Sequence, residues 1–230
     1  MSNVLVLAGG SPHAHDFDAC GAALGELIDG LGHDVRVVGD PDDAAAILDD
    51  DPPDALVIDG LWWRMQGALY DRWRAAYAYS TPETTQRCLA EFVRGGGGLL
   101  ALHAAVICFD DWPEWGDVVG GSWQWGVSSH PPRGEVAARI VARHPVVDEL
   151  GGELRLVDEI YGDLDVRSDI EVLAVAQRHA DDDEQPVVWT HRFGHGRVVF
   201  DGFGHDEASI RHEGNAALIG AAITWITGGS

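Results

Sequence analysis

Four histidines and one acidic pair are the residues of this chain best suited to chemistry. His15, His103, His130 and His205 supply imidazoles, and Asp158-Glu159 supplies adjoining carboxylates. An imidazole titrates near neutral pH and a carboxylate below it, so environments that separate their pKa values yield a general acid and a general base. His103 and Glu159 are expected to share proton transfer, while His130 and His205 bind and polarise the substrate. The same set, His103, His130, Glu159 and His205, could instead ligate a divalent metal through nitrogen and carboxylate oxygen. The intervals between these residues are long and irregular, unlike the short fixed spacing of a metal motif, so catalysis without a metal is the expectation.

These residues matter only if the fold brings them to one place, and the run Gly95-Gly96-Gly97-Gly98-Leu99-Leu100-Ala101-Leu102-His103 suggests how it does so. It reads as a glycine turn, a wholly apolar strand and a histidine where the strand ends. A strand with no polar stripe belongs in the middle of a parallel sheet covered on both faces, and ligands of such sheets bind outside the carboxyl ends of the strands. The opening of the chain supports a doubly wound parallel sheet. Strands are expected at Val4 to Ala8, Asp34 to Val38 and Ala55 to Ile58. Between them come an amphipathic helix from Phe17 to Leu31, capped by Asp16, and an acid-rich helix around Asp42 to Asp49.

The segment after Trp63, to Tyr79, has no clear period and is expected to be a covering loop. Thr81-Pro82-Glu83-Thr84 predicts a helix start with Thr81 as cap, running to about Arg94. The second half is richer in strands, at Glu135 to Val141, Glu153 to Tyr161, Ile170 to Ala176, Pro186 to Thr190 and Arg197 to Phe203. The last two flank a hairpin-like turn at Phe193-Gly194-His195-Gly196, and a helix from Asn215 to Ile226 follows. Under this reading His15, Trp62, His103 and His205 all follow strands at the carboxyl edge.

Further residues complete the candidate site. His15 lies in a glycine-bounded loop after the first strand, and Asp158 could orient a histidine or cap a strand. Arg192 could hold an anionic or polyhydroxy ligand. Trp62 and Trp123 could place an aromatic face against a sugar ring while polar groups engage its hydroxyls. Gly9-Gly10 belongs to no GxGxxG pattern and no P-loop, so no nucleotide cofactor is expected.

Composition narrows the partners. The net charge is -23, with 38 acidic residues against 15 basic ones, and every basic residue is arginine. So acidic a surface repels nucleic acid and anionic membrane, and suits a salt-rich cytoplasm in which self-repulsion is screened. There is no apolar run of membrane-spanning length and no basic, apolar leader, which predicts a cytoplasmic protein. Three widely spaced cysteines make neither a disulfide framework nor a zinc ribbon. The aromatic loops suggest a homo-oligomer, because exposed apolar surface calls for cover.

Taken together, several segments resemble the ThuA-like family, named for trehalose utilisation. They are Gly97 to Ala105, Trp112-Pro113-Glu114, Val119-Gly120-Gly121, His130-Pro131, Asp158-Glu159-Ile160-Tyr161, Pro186 to Thr190, Gly194 to Val198 and Gly204-His205-Asp206. They occur in the family's order over nearly the whole chain, residues 1–230 as one domain. The resemblance implies a fold like that of class I glutamine amidotransferases, a flavodoxin-like three-layer α/β sandwich with a mainly parallel doubly wound sheet and a mixed strand-rich extension. It also implies a role in sugar metabolism. Two positions depart from the family pattern, His191 where arginine is common and His195 where lysine is common. Amidotransferases of this fold carry a cysteine at the strand-to-helix elbow. This chain has His103 there, which excludes a thiol-ester mechanism at that point. The expected activity is acid/base chemistry on a small-molecule sugar or oxidised sugar derivative: hydrolysis, elimination or isomerisation. The alternatives are a metal-dependent hydrolase and a carbohydrate-binding accessory protein without turnover.

Overall fold

The structure is a computed structural model that describes residues 1–179 and 181–229. The first half contains β1 (Asn3–Gly10), α1 (Phe17–Gly30), β2 (Asp34–Val38), α2 (Pro41–Asp50), β3 (Ala55–Leu61), α3 (Asp71–Tyr77), α4 (Glu83–Gly95) and β4 (Gly98–Leu102). After α5 (Glu114–Val119) come β5 (Gly121–Ser122), β6 (Gly134–Ile140), β7 (Glu153–Asp158), β8 (Asp165–Val166) and β9 (Glu171–Ala176). The chain continues with β10 (Gln185–Phe193), β11 (Gly196–Asp201), α6 (Glu207–Ile210) and α7 (Glu213–Ile226).

Nine strands share one sheet in the order β2-β1-β3-β4-β11-β10-β9-β6-β7, and β5 pairs with β8 separately. From β2 to β11 the pairs are parallel, and from β11 to β7 they are antiparallel. This is the doubly wound sheet with a mixed extension that the sequence predicts. The apolar strands owe their composition to two cores. Val4, Val6, Ala55, Val57, Leu100 and Leu102 face one core with α1 and α7. Leu5, Leu7, Leu56, Ile58, Leu99 and Ala101 face the other with α2, α4 and α5. Side chains alternate across a strand, so a strand covered on both faces must be apolar at every position.

Two local expectations are corrected. The segment after Trp63 is not wholly a loop. Ala68–Tyr70 forms a single 3-10 turn and Asp71–Tyr77 a short helix, fastened by Arg74, whose guanidinium donates to the Met65 and Gly67 carbonyls. Thr81 does not cap α4, which has Pro82 as its N-cap and no side-chain cap. The Thr81 backbone N–H and hydroxyl donate instead to the Asp111 carboxylate, the hydroxyl at 2.7 Å, because a charged acceptor makes the stronger bond. No helix among the described residues is long and apolar enough to cross a membrane.

Candidate functional site

β4 ends at Leu102, and His103 turns the chain directly into a 3-10 helix over His103–Ile107 with φ of +43°. A non-glycine residue in that region costs on the order of 1–3 kcal/mol and must be held by its surroundings. His103 Nδ1 donates to the Gly202 carbonyl at 2.9 Å, and Nε2 lies 2.9 Å from the Tyr161 hydroxyl. A carbonyl can only accept, so Nδ1 carries a proton, and Nε2 is the atom free to change partners. His103 has no exposed surface.

The other site residues come from three different loops, and Asp158 ties two of them together. It sits at the end of β7, and its Oδ1 accepts the Glu159 backbone N–H at 2.7 Å. Its Oδ2 accepts the Gly204 N–H at 2.9 Å, the His205 N–H and the Ser209 hydroxyl. One buried carboxylate therefore fixes both the backbone of Glu159 and the loop that carries His205. His15, in the loop after β1, is joined to the same place by donation from Nδ1 to the His205 carbonyl at 3.1 Å.

Glu159 is the hub. Its Oε2 lies 3.5 Å from His103 Nε2 and 3.4 Å from His205 Nδ1, and its Oε1 lies 3.3 Å from His130 Nδ1. Ring centroids of His15, His103 and His205 are 4.6 to 5.4 Å apart. Burial would raise the Glu159 pKa, but hydrogen bonds with His103, His130 and His205 hold it well below the usual carboxylate range. Burial opposes charge on His103, yet the Glu159 hydrogen bond, Asp158 and the Gly202 carbonyl outweigh it and push its pKa to about 9. His15 moves the other way, to about 3, first through burial and then through repulsion from His103. The Glu159 hydrogen bond raises His130 against a smaller burial effect, and burial pushes the Tyr161 phenol up. The site thus gathers a carboxylate favoured in its ionised form and imidazoles whose pKa values are pushed in opposite directions, His103 up and His15 down.

Above Glu159 lies a cavity of about 130 Å³ whose walls include Trp63, Tyr70, Trp123, Trp125 and Tyr161, with His15, His130 and His205 at its polar side. Trp125 stacks on Trp63 with centroids 4.5 Å apart and planes 11° from parallel, and it is 48% exposed. Trp123 packs edge-on to Tyr161 at 5.3 Å. One ligand atom each of His15, His103 and His205 lies within 4.8 Å of the other two, so the compact metal set among the described residues contains His15 in place of the expected His130 and Glu159.

The structure thus brings together His15, His103, His130, Glu159, His205 and Trp123, and keeps three other predicted residues out of ligand reach. Trp62 is buried in the second core, where its ring lies against Gly9 and Gly60 and parallel to Phe109. Its neighbour Trp63 faces the cavity instead. Arg192 pairs with Arg197 beside the β10–β11 hairpin, at the opposite edge of the sheet from His103. Asp158 is 1% exposed with its oxygens already engaged, so it positions the site and cannot touch a ligand. Tyr161, Trp63, Tyr70 and Trp125 join the site beyond the residues that the sequence points to. Tyr161 is accessible to sequence reasoning, because it stands two residues beyond Glu159 in the Asp158-Glu159-Ile160-Tyr161 motif.

The fold is that of known proteins. A ThuA-like protein from Parabacteroides merdae is 23% identical, with a TM-score of 0.79 over 99% of this chain and 90% of that one. A β-galactosidase from the haloarchaeon Halorubrum lacusprofundi is 20% identical, with a TM-score of 0.62 over 99% of this chain but 30% of that one. A glutamine amidotransferase from Thermotoga maritima is 9% identical, with a TM-score of 0.56 over 98% of both chains. The search of curated proteins gave no match. Residues 3–226 match the family described as ThuA, trehalose utilisation, and the chain belongs to that family.

Proposed function

We propose that this protein is an enzyme of carbohydrate metabolism that moves protons on a sugar or an oxidised sugar. The observation that carries this reading is the Glu159 carboxylate, in contact with three imidazoles at the floor of an aromatic-walled cavity. Aromatic faces suit the apolar side of a sugar ring, and the cavity is below the roughly 300–1,000 Å³ of sites that enclose drug-sized ligands. It therefore takes in one small reacting unit and leaves the rest of a larger substrate at the mouth, beside Trp125. Trehalose utilisation, the description of the family, supports the sugar assignment.

In this scheme Glu159 removes a proton from the bound sugar, at a carbon beside a carbonyl or at a hydroxyl. The N–H groups around it stabilise the oxyanion that develops. His130, on the other carboxylate oxygen and 39% exposed, returns a proton to the departing oxygen or the neighbouring carbon. His103 is too deeply buried to meet the substrate, so it acts through Glu159 and the Tyr161 hydroxyl. The test is incubation with keto-sugars and glycosides in D2O, followed by proton NMR. Exchange or elimination beside the carbonyl, reduced on the order of 10²- to 10⁴-fold in Glu159→Gln, is the expected result. Equal rates in the two proteins would overturn the assignment.

A further inference from the structure

Three imidazoles converge below the cavity, and each brings a ring nitrogen that no backbone group engages. His15 and His103 donate from Nδ1 to backbone carbonyls, of His205 and Gly202, and so present Nε2 with its orientation fixed. A histidine that binds a metal is ordinarily held this way, with its second nitrogen tied to a carbonyl or carboxylate. The third, His205, has a buried Nδ1 whose polar contact is the Glu159 Oε2 at 3.4 Å. One ligand atom from each ring falls within 4.8 Å of the other two.

We propose that His15, His103 and His205 bind one divalent transition-metal ion of the zinc class. All-imidazole ligation selects zinc and its neighbours over magnesium or calcium, which take oxygen ligands. Three protein ligands leave a coordination position open, the arrangement of a catalytic and not a structural ion. Because His15 and His205 line the cavity, that position faces the substrate. Glu159 stands beside it, with Oε2 at 3.4 Å from His205 Nδ1 and 3.5 Å from His103 Nε2. The ion takes the His103 Nε2 lone pair, which releases the Tyr161 hydroxyl to bond the substrate. The assignment rests on the proposed sugar chemistry only for its use, which is to polarise the oxygen next to the site of proton removal. The ligand geometry stands without it.

The test uses the full chain, stripped with chelator and titrated with zinc chloride by calorimetry and with cobalt chloride by visible absorption. One ion per chain is expected, with binding weakened on the order of 100-fold or more in both His15→Ala and His205→Ala. His195→Ala, at the far edge of the sheet, should bind as the parent does. Circular dichroism establishes that the variants are folded, and His15→Gln and His205→Gln replace any alanine variant that is not. Absence of stoichiometric binding, or binding unchanged in both site variants, would overturn the metal site. Zinc bound at these histidines without sugar turnover would uphold the site and remove the proton-transfer reading. Turnover by stripped protein that binds no zinc would do the reverse.

Discussion

The Tyr161 hydroxyl lies 2.9 Å from Nε2 of His103, and it is the link between a histidine with no exposed surface and the cavity. His103 Nδ1 is committed to Gly202, so Nε2 is its only route of influence. Tyr161→Phe keeps the ring and removes the hydroxyl, leaving the contact of Nε2 with Glu159 as the remaining route. Turnover should fall about 10- to 100-fold with little change in KM, and the fold should lose no more than about 1–3 kcal/mol. Steady-state kinetics with a urea denaturation curve would check both. Unchanged kcat would show that His103 does not act through Tyr161.

Asp158 accepts hydrogen bonds from Glu159, Gly204 and Ser209 while fully enclosed. Asp158→Ala leaves several buried donors without an acceptor, and should destabilise the protein by about 2–4 kcal/mol. It also releases the loops carrying Glu159 and His205, so activity should fall even at temperatures where the variant is folded. Chemical denaturation and activity measured on one preparation would test the two effects together.

Two tryptophans, Trp62 and Trp125, offer a sharper contrast. Trp62→Ala opens a hole against Gly9, Gly60 and Phe109, and should cost about 3–5 kcal/mol. Trp125→Ala removes a half-exposed ring at the cavity mouth, so stability should change by less than about 1 kcal/mol while KM for a sugar substrate rises. A Trp125→Ala protein with the parent KM would remove Trp125 from the binding surface.

Asp59 is the neighbour of Leu102 in the register between β3 and β4, buried, with neither oxygen hydrogen-bonded. Burial raises its pKa to about 7, against a smaller lowering effect from His103. A carboxyl whose folded pKa exceeds its unfolded value stabilises the fold most at low pH, below about 4. That stability declines as pH climbs toward 7 and is constant above it. Asp59→Asn removes this titration, so its stability relative to the parent should improve from pH 4 to pH 8 by a few kcal/mol, at about 1.4 kcal/mol per unit of pKa shift. Thermal or urea melts across that range would measure the difference, and a flat difference would contradict the assignment.

Much of the scaffold was legible because its strands are buried on both faces. The apolar runs at Val4, Ala55 and Leu99 allow few other structures, and they place the histidine after Leu102 at the ligand edge. What failed was orientation where regular alternation stops. β3 ends at Leu61, so nothing in the sequence says which of Trp62 and Trp63 turns inward, and the glycines at positions 9 and 60 decide it. Arg192 was misplaced although its signal was present. The turn at Gly194-His195 pairs Arg192 with Arg197 at the start of β11, and so sets both at the edge away from the histidines. Segments without period, such as residues 64–79, take their shape from hydrogen bonds like those of Arg74, which local pattern does not show.

β11 comes last among the strands but lies in the middle of the sheet, between β4 and β10. As the chain is synthesised, β4 and β10 each present an unpaired edge until residues near 201 have emerged, and the Gly202 carbonyl that orients His103 arrives only then. The contact that orients His103 is therefore completed only late in synthesis. The ribosome-bound chain passes through a stage in which most of its apolar surface has been made but two strand edges remain open to pairing with other molecules. The dense negative charge, carried on a chain without lysine, then keeps neighbouring nascent chains apart until the central strand closes the sheet.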